Sequence, residues 1–282
     1  MLRRTILDEM RRLDAEKDCQ RIVYLLTYHE FPFDTLRAVE FALYRAFAVP
    51  SISSLLNRTG EFQNRPQKRY DDTQLILSEI FENGYESDRG KAAITRLNHI
   101  HGRFQISNDD FLYVLSAFIF ESIRWITRFG WRPMLEQERL GIFYCWREVG
   151  RRMNIQGIPD TIDELEQYNV EYERLHFKYS DTNRRLGIAT RDLFLSWYLP
   201  RPLRWLGRPL IYAAMDDRLL DAFGFSRPTT AMRRFVEGQI RLRARLVRLL
   251  PERRHPQLLT TKRHRSYPAG YRLEDLGPTR PH

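Results

Sequence analysis

Apolar residues recur at helical spacing along nearly every long segment of this chain, and nowhere do apolar and polar residues alternate as on a half-buried strand. With 282 residues, 43% of them hydrophobic and 13% aromatic, there is ample side-chain volume for one core. The spacing therefore predicts an all-α fold with a single multi-helix globular domain over residues 1–250. One helix is expected over 109–128, opened by Ser107 and Asn108, with Asp110 completing a capping box three residues after Ser107. Another runs from about Leu135 to Met153 and breaks at Gly157-Ile158-Pro159. A third opens after Thr161 and carries Leu165, Tyr168, Tyr172, Leu175 and Tyr179. Further helices fall near 182–198 and 203–223, punctuated by Pro200, Pro202 and Pro228, and the last covers 229–250. Five of the 14 prolines lie beyond residue 250, so 251–282 reads as an extended, basic, Pro-rich arm packed on the domain. No internal repeat or low-complexity segment is visible.

Helical geometry separates two neighbouring histidines. From Ser87, the residues Ile94, Leu97 and His101 fall at i, i+3 and i+7 on one apolar stripe. His99 lies two positions away, roughly 200° around the helix, so the pair cannot chelate one metal. His101 is left as a single imidazole aimed into a core, the arrangement of an axial haem ligand and equally of a satisfied core histidine. On the preceding segment, Arg69 and Thr73 are four apart and share a face with Leu77 and Ile80. An arginine buried there needs an anion, for which a haem propionate and a protein carboxylate are both candidates.

The segment Arg69-Tyr70-Asp71-Asp72-Thr73, followed some thirty residues later by a helical histidine, resembles the haem-site pattern of the rubber oxygenases (latex-clearing proteins) and the fungal MpaB oxygenases. The likeness to the MpaB branch extends over Phe31-Pro32, Thr59-Gly60-Glu61-Phe62, Phe129-Gly130-Trp131-Arg132, and the set Tyr267, Pro268, Gly270, Tyr271. The resemblance implies a helical domain enclosing a pocket for haem b, and oxidative cleavage of a C=C bond in an isoprenoid or prenylated small molecule by dioxygen. It makes His101 the metal ligand, places Arg69 and Thr73 beside the haem as catalytic and cofactor-binding residues, and adds Asn98 as a cofactor contact. Arg96 and Arg103 flank His101 and are placed either to contact the cofactor through its propionates or to stay solvated at the helix edge. Rubber oxygenases carry a lysine just before the threonine, whereas here that position is Asp72. No distal protein ligand is therefore expected, and Asp72 reads as a solvated first-turn residue, with a proton shuttle as the alternative. Glu61 is the candidate general base, since allylic proton removal calls for a carboxylate in an apolar pocket, and the alternative is a surface loop residue following Gly60.

Two readings compete. A non-haem di-iron oxygenase would use Glu173 and His176 on one helical face, but the second such pair, Glu252 and His255, sits between Pro251 and Pro256 in the arm. His176 is then a core or pocket residue. A non-catalytic helical interaction protein would need His101 only for packing. The net charge of +10 comes from basic residues mixed with acids over most of the chain, which argues against nucleic acid. Only 229–250 forms a basic amphipathic helix, with Arg241, Arg245 and Arg248 near Leu242, Leu246 and Leu249, suited to peripheral contact with an anionic bilayer or simply to solvent. The longest apolar run, Phe111 to Phe120, is broken by Ser116 and closed by Glu121, and a membrane span needs about twenty such residues. Neither a leader-like stretch nor a Gly-x-Gly-x-x-Gly loop appears. Cys19 and Cys145 set up no disulfide framework, and Cys145 reads as a packed core thiol. The expected location is cytoplasmic, with or without membrane contact at the surface.

Overall fold

The computed structural model describes residues 5–278. Among them are fourteen α-helices and no strand, so the chain is all-α. In order these are α1 (Thr5–Met10), α2 (Cys19–Leu25), α3 (Pro32–Phe47), α4 (Pro50–Thr59), α5 (Glu61–Asn64), α6 (Pro66–Asn83), α7 (Asp88–His101), α8 (Asn108–Phe129), α9 (Glu136–Arg152), α10 (Ile162–His176), α11 (Asp181–Ser196), α12 (Arg204–Ala213), α13 (Asp217–Phe223) and α14 (Thr230–Leu249). The starts are written in local chemistry. Pro32, Pro50 and Pro66 each occupy a first helical position, where a missing N–H costs nothing. Ser87, Ser107, Thr161, Ser180 and Thr229 each accept from a backbone N–H three residues on, which satisfies a donor the helix cannot.

The long helix α8 runs through the middle, packing against α3, α9, α10 and α14, while α2 lies on α9, α6 on α7 and α11 on α4. Its buried residues include Leu112, Tyr113, Leu115, Phe118, Ile119, Phe120, Trp125, Ile126 and Phe129. Between α2 and α3 a π-helical turn, Leu26–Glu30, is fixed from outside. Arg132 donates to Glu30 at 2.8 Å and to Glu138 at 2.5 Å, and its guanidinium lies 4.8 Å from the Phe31 ring. Trp131 Nε1 donates to the Glu30 carbonyl at 2.9 Å. The Phe31-Pro32 and Phe129-to-Arg132 motifs thus clamp each other.

The arm residues up to 278 lie over α6 and α7. Ser266 N donates to Asp71 (2.9 Å), Tyr267 OH to Asp72 (2.5 Å), Tyr271 OH to Glu79 (2.6 Å), and Leu273 and Leu276 are buried. Cys145 is buried as a core thiol, and it meets Cys19 across the α2–α9 contact. Both are free thiols. Among the described residues no single helix is long and apolar enough to cross a membrane; α3 and α4 pass that test only as a pair bent by 98°.

Four local expectations are corrected. The segment 203–223 is two helices, because Asp216 caps α13 through the Leu219 N–H (2.9 Å). Helix α10 ends at His176, leaving Tyr179 in the irregular link to α11, and Leu175 and Tyr179 are exposed. Ser107 caps α8, but Asp110 does not close a capping box: its carboxylate accepts from Ser51 (2.8 Å) and Tyr172 (2.7 Å). Asp72 is buried rather than solvated, held by Lys68 at 2.9 Å as well as by Tyr267.

Candidate functional site

Helices α5, α6 and α7 bring together the residues at issue. His101 is the last residue of α7, and its ring lies 5.3 Å from that of Phe111 at the start of α8. Its Nδ1 is buried without a hydrogen-bond partner, although an edge of the residue reaches the surface. Burial and the neighbouring Arg69 guanidinium hold the imidazole down to about 4, so the ring is neutral at physiological pH. A neutral imidazole with a free buried lone pair can donate to a metal.

Arg69 sits one turn before Thr73 on α6 and donates to its hydroxyl. The guanidinium lies 5.4 Å from the Phe62 ring, and burial lowers its pKa. Half-buried, it forms no ion pair among the described residues, although the charges of Asp72 and Glu61 nearby favour its charged form. Glu61 begins α5 directly after Gly60, whose φ of 66° ends α4 in a left-handed turn. The Glu61 side chain is buried and accepts from Arg65 at 2.5 Å. Phe62 beside it packs edge-on against Phe47, with centroids 4.9 Å apart.

Three of the sequence-designated cofactor contacts are used or placed differently. Asn98 donates to the Arg152 carbonyl at 2.9 Å, tying α7 to the end of α9. Arg96 donates to the carbonyls of Leu276 (2.6 and 2.9 Å) and Glu274 (2.8 Å) in the arm. Arg103 lies exposed just past the end of α7. Two open clefts exist elsewhere, one of about 750 Å³ under the arm beside Glu79, Arg89 and Tyr271, and one of about 380 Å³ where α8 meets α9 near Trp131 and Leu135. Neither is lined by Arg69, Thr73 or His101.

The carboxylate–histidine pair on α10 makes no metal site. Glu173 is bound by Arg45 at 2.9 Å, and Arg45 also holds Glu121 and Asp216, each at 2.5 Å. His176 is exposed and stacks on Tyr172, with centroids 4.1 Å apart, which overturns its reading as a core or pocket residue. No group of three or more His, Cys, Asp or Glu that could hold a metal ion occurs among the described residues. One carboxylate escaped the sequence analysis altogether: Glu40 on α3 is buried, accepts from Tyr70 (2.8 Å) and Arg37 (2.7 Å), and is pushed up to about 7 by burial. Its spacing of three from Arg37 reads as an ordinary helix-surface pair, and Tyr70, the partner from another helix, lies thirty residues away.

Comparison with known proteins gives a consistent result. The family described as ER-bound oxygenase mpaB/B'/Rubber oxygenase, catalytic domain, matches residues 35–249. The ER-bound oxygenase mpaB of Penicillium roqueforti (strain FM164) is 32% identical over 212 residues, covering 68% of this chain and 70% of that protein. The ER-bound oxygenase mpaB' of Penicillium brevicompactum is 32% identical over 218 residues, 71% of this chain and 51% of the relative. The mpaB of the same fungus is 33% identical over 186 residues, 59% of this chain and 47% of the relative. The chain therefore spans about half the length of these last two. The matched segment carries Arg69, Thr73 and His101 within the helices just described, and this chain belongs to the MpaB and rubber oxygenase family.

Proposed function

We propose that this chain is a haem b-dependent oxygenase that uses dioxygen to cleave a C=C bond in an isoprenoid or prenylated small molecule. The observation that carries the reading is a pair of unmet demands in one place: a neutral imidazole whose buried Nδ1 has no partner, beside a half-buried guanidinium with no ion pair among the described residues. One ligand answers both, because haem b combines a Lewis-acidic iron with anionic propionates. Family membership supports the oxygenase class.

In this reading His101 holds the cofactor through its free ring nitrogen. Arg69 offsets propionate charge, and Thr73, which accepts from Arg69, keeps the guanidinium in position. Haem bound there supplies dioxygen activation, the chemistry that the side chains cannot perform. Glu61 is the carboxylate for proton removal next to the double bond. Its Oε1 is engaged by Arg65, so base duty requires that contact to open. The structure favours haem over a di-iron centre because Arg45 already occupies the carboxylate that the latter would need.

The test is spectroscopic. Protein produced with haem available should be red with a Soret band, and His101→Ala should lose the band at unchanged helical content. Arg69→Gln should keep the fold and weaken haem retention by about tenfold, the scale of one lost charge-assisted hydrogen bond. A colourless parent protein, or a His101→Ala variant that binds haem equally well, rules the proposal out. Cleavage products from a panel of prenylated compounds then identify the substrate.

A further inference from the structure

We infer that α12 and α14 together form a docking face for an anionic lipid bilayer. Of the fourteen large hydrophobic residues exposed on the described chain, ten fall between Tyr198 and Leu250. On α14 they form one stripe, Phe235, Leu242, Leu246 and Leu249, at i, i+7, i+11 and i+14. An arginine precedes each of them, Arg234, Arg241, Arg245 and Arg248, which places a parallel basic row about 100° around the helix. Helix α12 packs alongside and adds exposed Trp205 (62%), Leu206 and Leu210, with Arg201 and Arg208.

Helix α14 is oriented against the usual rule for a surface helix. Its charged pairs face the protein: Arg243 binds the buried Asp34 at 2.8 Å, and Glu237 is held by Arg128. Its leucines face outward, and Ala244 is its one buried residue. Water gives no reason for that arrangement, whereas a bilayer interface does, since it takes apolar side chains below the headgroups and arginines among the phosphates.

Charge selects the occupant. Residues 193–215 and 238–251 contain no acidic residue and seven arginines. Arg201, Arg208, Arg234, Arg245 and Arg248 pair with no carboxylate among the described residues, in a chain where arginine–carboxylate pairs are otherwise frequent. A second copy of this chain would set the same arginine rows against each other across a two-fold axis. Nucleic acid would satisfy the arginines and leave the leucine stripe in water.

The full-length protein should float with phosphatidylcholine vesicles containing phosphatidylserine and far less with phosphatidylcholine alone, and binding should weaken as salt rises. Trp205→Phe should remove most of the blue shift in tryptophan fluorescence that accompanies binding. Leu242→Glu with Leu246→Glu, both on exposed positions, should reduce partitioning at least tenfold while circular dichroism and Tm hold. Arg245→Gln and Arg248→Gln should cost about fivefold each. Equal flotation on both vesicle types, or unaltered flotation of the Leu→Glu variant, overturns the inference. So does a dimer in sedimentation velocity that this variant abolishes, or DNA binding that competes the vesicles away with the leucine stripe intact.

Discussion

Protonating His101 would put a second cation beside Arg69 in a site where burial already opposes charge. The ring's ordinary pKa of 6.5 falls to about 4 for that reason. In the absence of haem, the unfolded chain takes up a proton between pH 6.5 and 4 that the folded chain does not, so the stability linked to this residue is complete above pH 6.5 and is lost as pH falls toward 4. The effect is at most about 3 kcal/mol. Urea midpoints of the haem-free protein should thus fall less between pH 7 and 4.5 in His101→Gln than in the parent. Parallel curves for the two would mean that the ring is not held neutral. The inward aim of His101 was legible from the i, i+3, i+7 stripe, and the Arg69–Thr73 contact from their spacing of four. The roles of Asn98 and Arg96 were not, because their acceptors are main-chain carbonyls at residues 152, 274 and 276, which no spacing rule connects to α7.

At the scale of elements, the starts and ends marked by Ser, Thr, Pro and Gly could be read directly, and those set by distant partners could not. Asp216 interrupts the expected 203–223 helix while its carboxylate serves Arg45 on α3, a constraint from 171 residues away in sequence. Tyr179 continues the α10 pattern by spacing, yet it lies against the left-handed Gly224 that ends α13, where an added Cβ would come within 2.7 Å of the tyrosine ring. The α2–α9 contact shows the reverse case, in which one absent side chain sets the approach of two helices. A Cβ on Gly141 would lie 2.6 Å from Ile22 Cγ2 and 3.1 Å from its Cβ, and a β-branched neighbour has little freedom to move aside. Gly141→Ala gains up to about 1 kcal/mol of helix propensity, but overpacking costs about 1–3 kcal/mol. The expected net result is a lower Tm, and a raised Tm would show that the two helices separate easily.

For the molecule as a whole, the arm is the brace of the candidate site. Lys68, one residue before Arg69, donates to the Gly277 carbonyl at 2.8 Å, and Arg96 on α7 holds the Leu276 carbonyl. The two helices that carry Arg69 and His101 are therefore tied to the same short stretch of chain, and α6 is tied to the arm again where Tyr267 and Tyr271 cap the buried carboxylates of Asp72 and Glu79. Composition could announce an arm rich in proline, but not that buried acids of α6 depend on it. Removing both hydroxyls with Tyr267→Phe and Tyr271→Phe leaves each carboxylate short of a donor, at a cost of about 1–3 kcal/mol per site. Tm should fall by several degrees. If the arm also sets the spacing of α6 and α7, haem retention measured by the Soret band should fall with it, whereas Arg272→Ala, which breaks only an exposed pair with Asp275, should leave both readings unchanged. A loss of Tm with full haem retention would assign the arm to stability alone.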